Sequence, residues 1–146
     1  MVSNKITLAA VVDKFVLETQ GKLLALFQQS CQDLFERALV PIAKGGNMPV
    51  ITGFLRSSFF TTLNTPDVPI MFRSDDASDL YHVNDMQISL TIADAELGDK
   101  VYGVFAANYA AYQEYGTSKM AGKFFVRSAA QQWPQIVERN AKLLAD

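Results

Sequence analysis

Cysteine, histidine and tryptophan occur once each in this chain, which leaves little material for redox, metal or thiol chemistry. Cys31 alone cannot close an intramolecular disulfide. Cys31 and His82 are the sole candidates for a thiol–imidazole pair, but Cys31 falls on the apolar stripe of a helical pattern, where a buried thiol is inert. Ser57 and Ser58 lack the Gly-x-Ser-x-Gly setting of a hydrolase nucleophile. Gly45-Gly46 is not followed by the Lys-Ser or Lys-Thr of a phosphate loop. A net charge of −2 and a pI near 5.3 leave no basic surplus for a phosphate backbone, so general nucleic-acid binding is disfavoured. The apolar runs fall far short of the ~20 residues of a membrane span, and no leader pattern opens the sequence. No membrane role and a cytoplasmic setting are the expectations.

Ligand-type residues gather only at Asp75, Asp76, Asp79, His82 and Asp85. Oxygen-rich segments can hold calcium or magnesium, but this one lacks the glycine and the terminal glutamate of a helix-loop-helix calcium site. A solvated acidic loop is the favoured reading, and a small metal-dependent hydrolase built on this segment is the alternative from a different functional class. No cofactor is expected.

The 146 residues, 49% of them apolar, suit one domain with a core of its own. From Thr7 to about Val40, apolar residues recur at three and four through Leu8, Val12, Phe15, Leu23, Leu26, Cys31, Leu34 and Ala38, which predicts a long amphipathic helix with Thr7 as N-cap. Gly21 predicts a bend or break within it, and Pro41 helps end it. Phe59 to Asn64 reads as a strand. Ile88, Leu90 and Ile92 alternate with Ser89 and Thr91, which predicts a strand over Gln87 to Ala93 in a hairpin with Val101 to Ala106. Val68 to Phe72 is a candidate edge strand within a long excursion from Pro66 to Asp85. Val126, Ala130, Trp133, Val137, Ala141 and Leu144 mark a terminal helix, kinked or restarted at Pro134, with Trp133 as its anchor. The fold class is α+β, with a long N-terminal and a C-terminal helix packed on a small antiparallel sheet.

The densest stretch is Tyr109 to Ala129. Gly116 can end a helical turn and Gly122 adds backbone freedom, which predicts an exposed, mobile hinge between them. Tyr109, Tyr112 and Tyr115 share one side of a helical turn, either as a core cluster or as a subunit contact. Arg56, Glu114 and Arg127 are either independent surface charges or a clamp in which Glu114 accepts from one or both arginines.

Two segments carry a resemblance. Thr52, Gly53, Leu55, Arg56 and Ser58 match a Thr-Gly-x-Leu-Arg-x-Ser element. Tyr109, Ala110, Tyr112, Glu114, Tyr115, Gly116, Thr117, Ser118, Lys119, Met120, Phe125, Arg127 and Ala129 match a second, Tyr-Ala-x-Tyr-x-Glu-Tyr-Gly-Thr-Ser-Lys-Met-Pro-Ala-Arg-Pro-Phe-Leu-Arg-Pro-Ala. Ala121, Gly122, Lys123, Phe124, Val126 and Ser128 depart from it, and two prolines of the loop are lost. Together they resemble the neck and minor tail components of long-tailed bacteriophages and prophages. The resemblance implies a non-enzymatic structural protein of the virion, present in the host cytoplasm during assembly. It implies copies around the tail axis, contacts with other neck and tail proteins, and non-specific proximity to DNA in the channel. A tail-completion or tail-terminator subunit is the runner-up.

Overall fold

The structure is a computed structural model that describes residues 7–73 and 81–145. Helix α1 (Leu8–Ala38) runs unbroken for 31 residues. Thr7 caps it as the sequence indicates, its hydroxyl accepting from the Ala10 N–H at 3.1 Å. No break occurs at Gly21, where nothing approaches the position a Cβ would take and the helix stays regular. A glycine's cost of ~1 kcal/mol is spread over a long cooperative helix and does not interrupt it. A 3-10 turn at Ile42–Lys44 and a loop lead to the short helix α2 (Phe54–Ser57) and strand β1 (Phe59–Leu63).

The stretch expected as a strand at Gln87 to Ala93 is instead helix α3 (Asp85–Asp94). Asn84 caps it, its side-chain oxygen accepting from the Gln87 N–H at 3.1 Å. Ile88 and Ile92, four apart, are buried on one face and Leu90 turns outward. The hairpin expectation fails with it. Strand β2 (Val101–Phe105) pairs antiparallel with β1, in register from Phe59 opposite Phe105 to Leu63 opposite Val101. Gln87 then covers the free edge of β1: its amide donates to the Thr61 carbonyl at 2.7 Å and accepts from the Thr61 N–H at 3.0 Å, as a neighbouring strand would. The expected edge strand at Val68 to Phe72 reduces to one bridge between Met71 and Ala107.

Helix α4 (Ala110–Tyr115), the two-residue strands β3 (Gly116–Thr117) and β4 (Met120–Ala121), and helices α5 (Phe125–Gln131) and α6 (Trp133–Ala145) complete the chain. The terminal helix restarts where Pro134 demands it, in the first turn of α6, where a missing N–H is harmless. Helix α6 lies along α1, and buried Asn140 donates to Ser30 Oγ at 3.3 Å and to Asp33 Oδ2 at 2.8 Å. The α+β architecture expected from the sequence is therefore present, with α3 and α1 rather than further strands covering the two-stranded ribbon.

Two apolar clusters form the core. Cys31, Phe35, Leu39, Phe59, Ile88 and Ile92 make the first, with half-buried Trp133 against it. Met48, Phe54, Leu55, Ala107 and Phe125 make the second. Phe105 packs against both. The rings of Phe35, Phe59, Phe105 and Phe125 follow one another at centroid distances of 5.2, 4.9 and 4.9 Å. Gly103 makes room for them, since a Cβ there would stand 2.6 Å from the Phe59 ring.

The α3 assignment has a direct test. Ile92→Ala should cost ~2–5 kcal/mol in urea unfolding, whereas Leu90→Ala should cost no more than ~0.5 kcal/mol. Similar losses at both positions would mean that Leu90 shares the buried face, as in a strand.

Candidate functional site

The two segments that carry the resemblance are distant in sequence but share the second cluster. Phe54 and Leu55 of α2 are buried with Phe125 of α5, and the Tyr109 ring lies 6.0 Å from that of Phe54. Gly53 turns the chain into α2 with φ 85°, and a Cβ there would come within 2.7 Å of the Tyr81 carbonyl oxygen. The Thr52 hydroxyl accepts from the Phe54 N–H at 3.3 Å, and its carbonyl accepts from the Tyr81 N–H at 3.2 Å. Buried Ser58 donates its hydroxyl to the Leu55 carbonyl at 2.6 Å. These contacts make Thr52, Gly53, Leu55 and Ser58 framework residues.

Glu114 is the charge that organises the second segment. It is buried, and its carboxylate accepts from the Val126 N–H at 2.8 Å and from the Arg127 N–H at 3.2 Å. Those N–H groups begin α5 and have no partner inside it, so Glu114 supplies from α4 the cap that local sequence does not. Of the two readings of Arg56, Glu114 and Arg127, the arginine clamp is not the arrangement found. Arg56 Nε donates to the Leu39 carbonyl at 2.8 Å, at the C-terminal end of α1, where a cation is favoured. Arg127 lies over the Phe124 ring, 4.9 Å from its centroid. Glu114 thus does tie down the start of the following helix, through backbone groups instead of guanidinium groups.

The joint is a closed hairpin and not the free hinge expected. Strands β3 and β4 pair Gly116 with Ala121 and Thr117 with Met120. Below them the Lys123 N–H donates to the Gln113 carbonyl at 2.8 Å and the Phe124 N–H to the Glu114 carbonyl at 3.1 Å. The glycines serve closeness more than motion. A Cβ on Gly116 would meet the Gly122 nitrogen at 2.5 Å, and one on Gly122 would meet the Glu114 carbonyl oxygen at 2.6 Å. Gly116 also adopts φ 85° and ψ 178°, a region in practice open only to glycine. Phe124 sits at φ 53°, a conformation closed to proline.

The tyrosines divide. Tyr109 is half-buried against the core, and burial raises its phenol above the ordinary range. Tyr112 and Tyr115 are 61% and 70% exposed, so the core reading fails for both. Thr117 and Lys119 are exposed near the hairpin tip and Met120 is half-buried. Asn47 went unnoticed in the sequence. Its amide donates to the Lys123 carbonyl at 3.0 Å and its oxygen accepts from Arg37 at 3.2 Å, linking α1 to the base of the hairpin. Only the Gly-Gly-Asn composition of its loop marked the place, and nothing marked the partner. The recess beside Thr52, Leu55, Tyr109 and Gln113 has a volume of about 70 Å³, too small for a metabolite.

Asp75, Asp76 and Asp79 of the acidic segment lie outside the described residues. Among the described residues no group of three or more His, Cys, Asp or Glu side chains is placed to hold a metal ion. Cys31 is in the first cluster, where burial pushes its thiol up to about 11, while His82 is exposed. Compared with protein-family models, curated proteins and solved structures, the chain matches none.

Removing the interhelical cap by Glu114→Ala should lower stability by ~1–3 kcal/mol, because the N–H groups that begin α5 lose their acceptor. Arg127→Ala should cost less than ~1 kcal/mol, the worth of an exposed cation over a ring. Equal losses in chemical unfolding would restore the clamp. An aromatic disulfide reagent at pH 8 should leave native Cys31 unmodified and titrate one thiol in denaturant, and rapid native reaction would place the thiol at the surface.

Proposed function

We propose that the chain is a non-enzymatic structural subunit of a phage or prophage particle, acting in head–tail connection or upper-tail assembly. The observation that supports this reading is the way the two resembling segments fold. Thr52 to Ser58 and Tyr109 to Ala129 pack together through Phe54, Leu55 and Phe125 and raise a paired hairpin whose own residues lie outside the two core clusters. Tyr112, Tyr115, Thr117 and Lys119 stand exposed on and beside that hairpin. Tyrosine offers large contact area at low entropic cost and is favoured at protein interfaces. A hairpin with a closed neck is already in its bound shape, which limits the ordering cost of association.

The mechanism is assembly. The hairpin of each copy seats on a neighbouring copy or on an adjoining neck or tail protein, so that subunits accumulate around the axis through which DNA passes.

Immunogold labelling of particles released from the source cells should put the chain at the head–tail junction or upper tail. Its absence from purified particles would sink the proposal. Tyr115→Ser combined with Lys119→Glu should leave the melting curve of the purified chain nearly unchanged yet reduce the yield of joined particles at least ~10-fold, as expected when interface residues do not support the core. Normal yield from that variant would remove the hairpin from the joining surface.

A further inference from the structure

Among the described residues, the first half of α1 stands clear of the body. Every residue from Thr7 to Leu23 is exposed, and the helix first becomes half-buried at Leu24. At 1.5 Å per residue this arm projects about 24 Å from the body. Its surface is not that of a solvated helix. Leu8, Val11, Val12, Phe15 and Val16 fall on one side, and the same strip continues through Leu23 to the body. Phe15 is 67% exposed and Leu8 79%. Taking roughly 150 Å² for a fully exposed side chain of this size, the strip presents on the order of 500 Å² of apolar surface, at the upper end of what monomers leave uncovered.

We propose that the occupant of this strip is the same strip of a second copy, in an antiparallel pair of arms centred near Val16. Area is the first reason. Two such strips cover about 1,000 Å² before any polar rim is added, which reaches the range of specific interfaces. Charge is the second. Lys14 and Glu18 lie together on one flank of the strip, 4.0 Å apart within one arm. In an antiparallel pair that flank meets its own counterpart, so Lys14 of each copy stands opposite Glu18 of the other. In a parallel pair it would meet the flank that carries Asp13 and Gln20 and no cation. The arm's charges, Asp13, Lys14, Glu18 and Lys22, also balance, which removes the attraction to anionic lipid or nucleic acid that a basic amphipathic helix would have.

Length is the third reason. With Val16 at the centre, the first turn of one arm, with Leu8, reaches Leu23 and Leu24 of the other. There a groove of about 380 Å³ opens beside Leu26, Phe27, Leu97, Trp133 and Val137, and it receives the end of the incoming helix. A solitary helix of this length is marginal in water, and pairing supplies the missing tertiary contact. The contact is isologous and closes at two copies. It uses none of the hairpin residues, so it stands or falls separately from the joining role.

Light scattering on the 146-residue chain at tens of micromolar should give twice the chain mass of 16.1 kDa. Val12→Asp with Phe15→Asp should weaken the dimer at least ~100-fold and lower the helical signal, while the unfolding midpoint of the body stays in place. Lys14→Glu should weaken the dimer, and Lys14→Glu with Glu18→Lys should restore it. A monomeric wild type would overturn the proposal, as would a dimer indifferent to the aspartates. Arm-dependent growth beyond two copies, or failure of the charge swap to restore pairing, would overturn the antiparallel register.

Discussion

Four phenylalanine rings set one end of the molecule against the other. Phe35 on α1 meets Phe59 on β1, Phe59 meets Phe105 across the ribbon, and Phe105 meets Phe125 at the start of α5. Phe105 packs against both clusters, so the ribbon joins the long helix and the joint into one packing unit, alongside the direct contact of α1 with α5. The constraint reaches the backbone. β2 carries glycine at position 103 because the Phe59 ring occupies the place of a side chain, and the paired strands can remain only two because the rings and α3 cover what further strands would have covered. Edge-on aromatic pairs of this kind contribute ~0.5–1.5 kcal/mol each beyond their buried area.

The joint is anchored to that unit at several points. Phe125 is clamped in the second cluster, Glu114 holds the first N–H groups of α5, and Asn47 reaches Lys123 from the loop after α1. Between these anchors Gly116 and Gly122 approach so closely that neither position could carry a side chain without displacing backbone. Glycine here removes bulk from a tight neck and takes a conformation other residues avoid. The same two residues, read from composition alone, suggest freedom of movement. Space and freedom are different uses of one residue type, and only the surroundings distinguish them.

The helices at the two ends were legible because their apolar period runs long enough to exceed local noise, and Thr7 and Pro134 mark their boundaries by chemistry that acts within one turn. The segment from Ile88 to Ile92 is short, and Ile-x-x-x-Ile satisfies a period of two as well as a period near 3.6. The deciding signal was present in Asn84 and Gln87, a cap residue followed three positions later by glutamine, and it outweighs the alternation. The pairing of Phe59 with Phe105 was not legible, since register between distant strands leaves no local mark. For Glu114 the residue was visible and its partner was not. An acceptor that shares the matched segments with two arginines suggests an ion pair, but burial favours the fixed N–H groups of a helix start, which need no long side chain to be ordered. The division of the three tyrosines follows from a helix of only six residues, too short to bury a full side.

The long first helix has a consequence for synthesis. Its side chains from Phe27 to Phe35 form the floor of the first cluster, and helices of this kind form within about a microsecond of being free to do so. Phe105, which closes that cluster from the ribbon side, follows Phe35 by 70 residues. At about 5–20 residues per second, the apolar floor waits ~4–14 s on the nascent chain before its cover exists, and longer for α6. During that interval the chain presents its stripe without the body that later hides it. The burden on the translating cell is therefore set by the distance in sequence between the two halves of the core, whatever stability the finished protein attains.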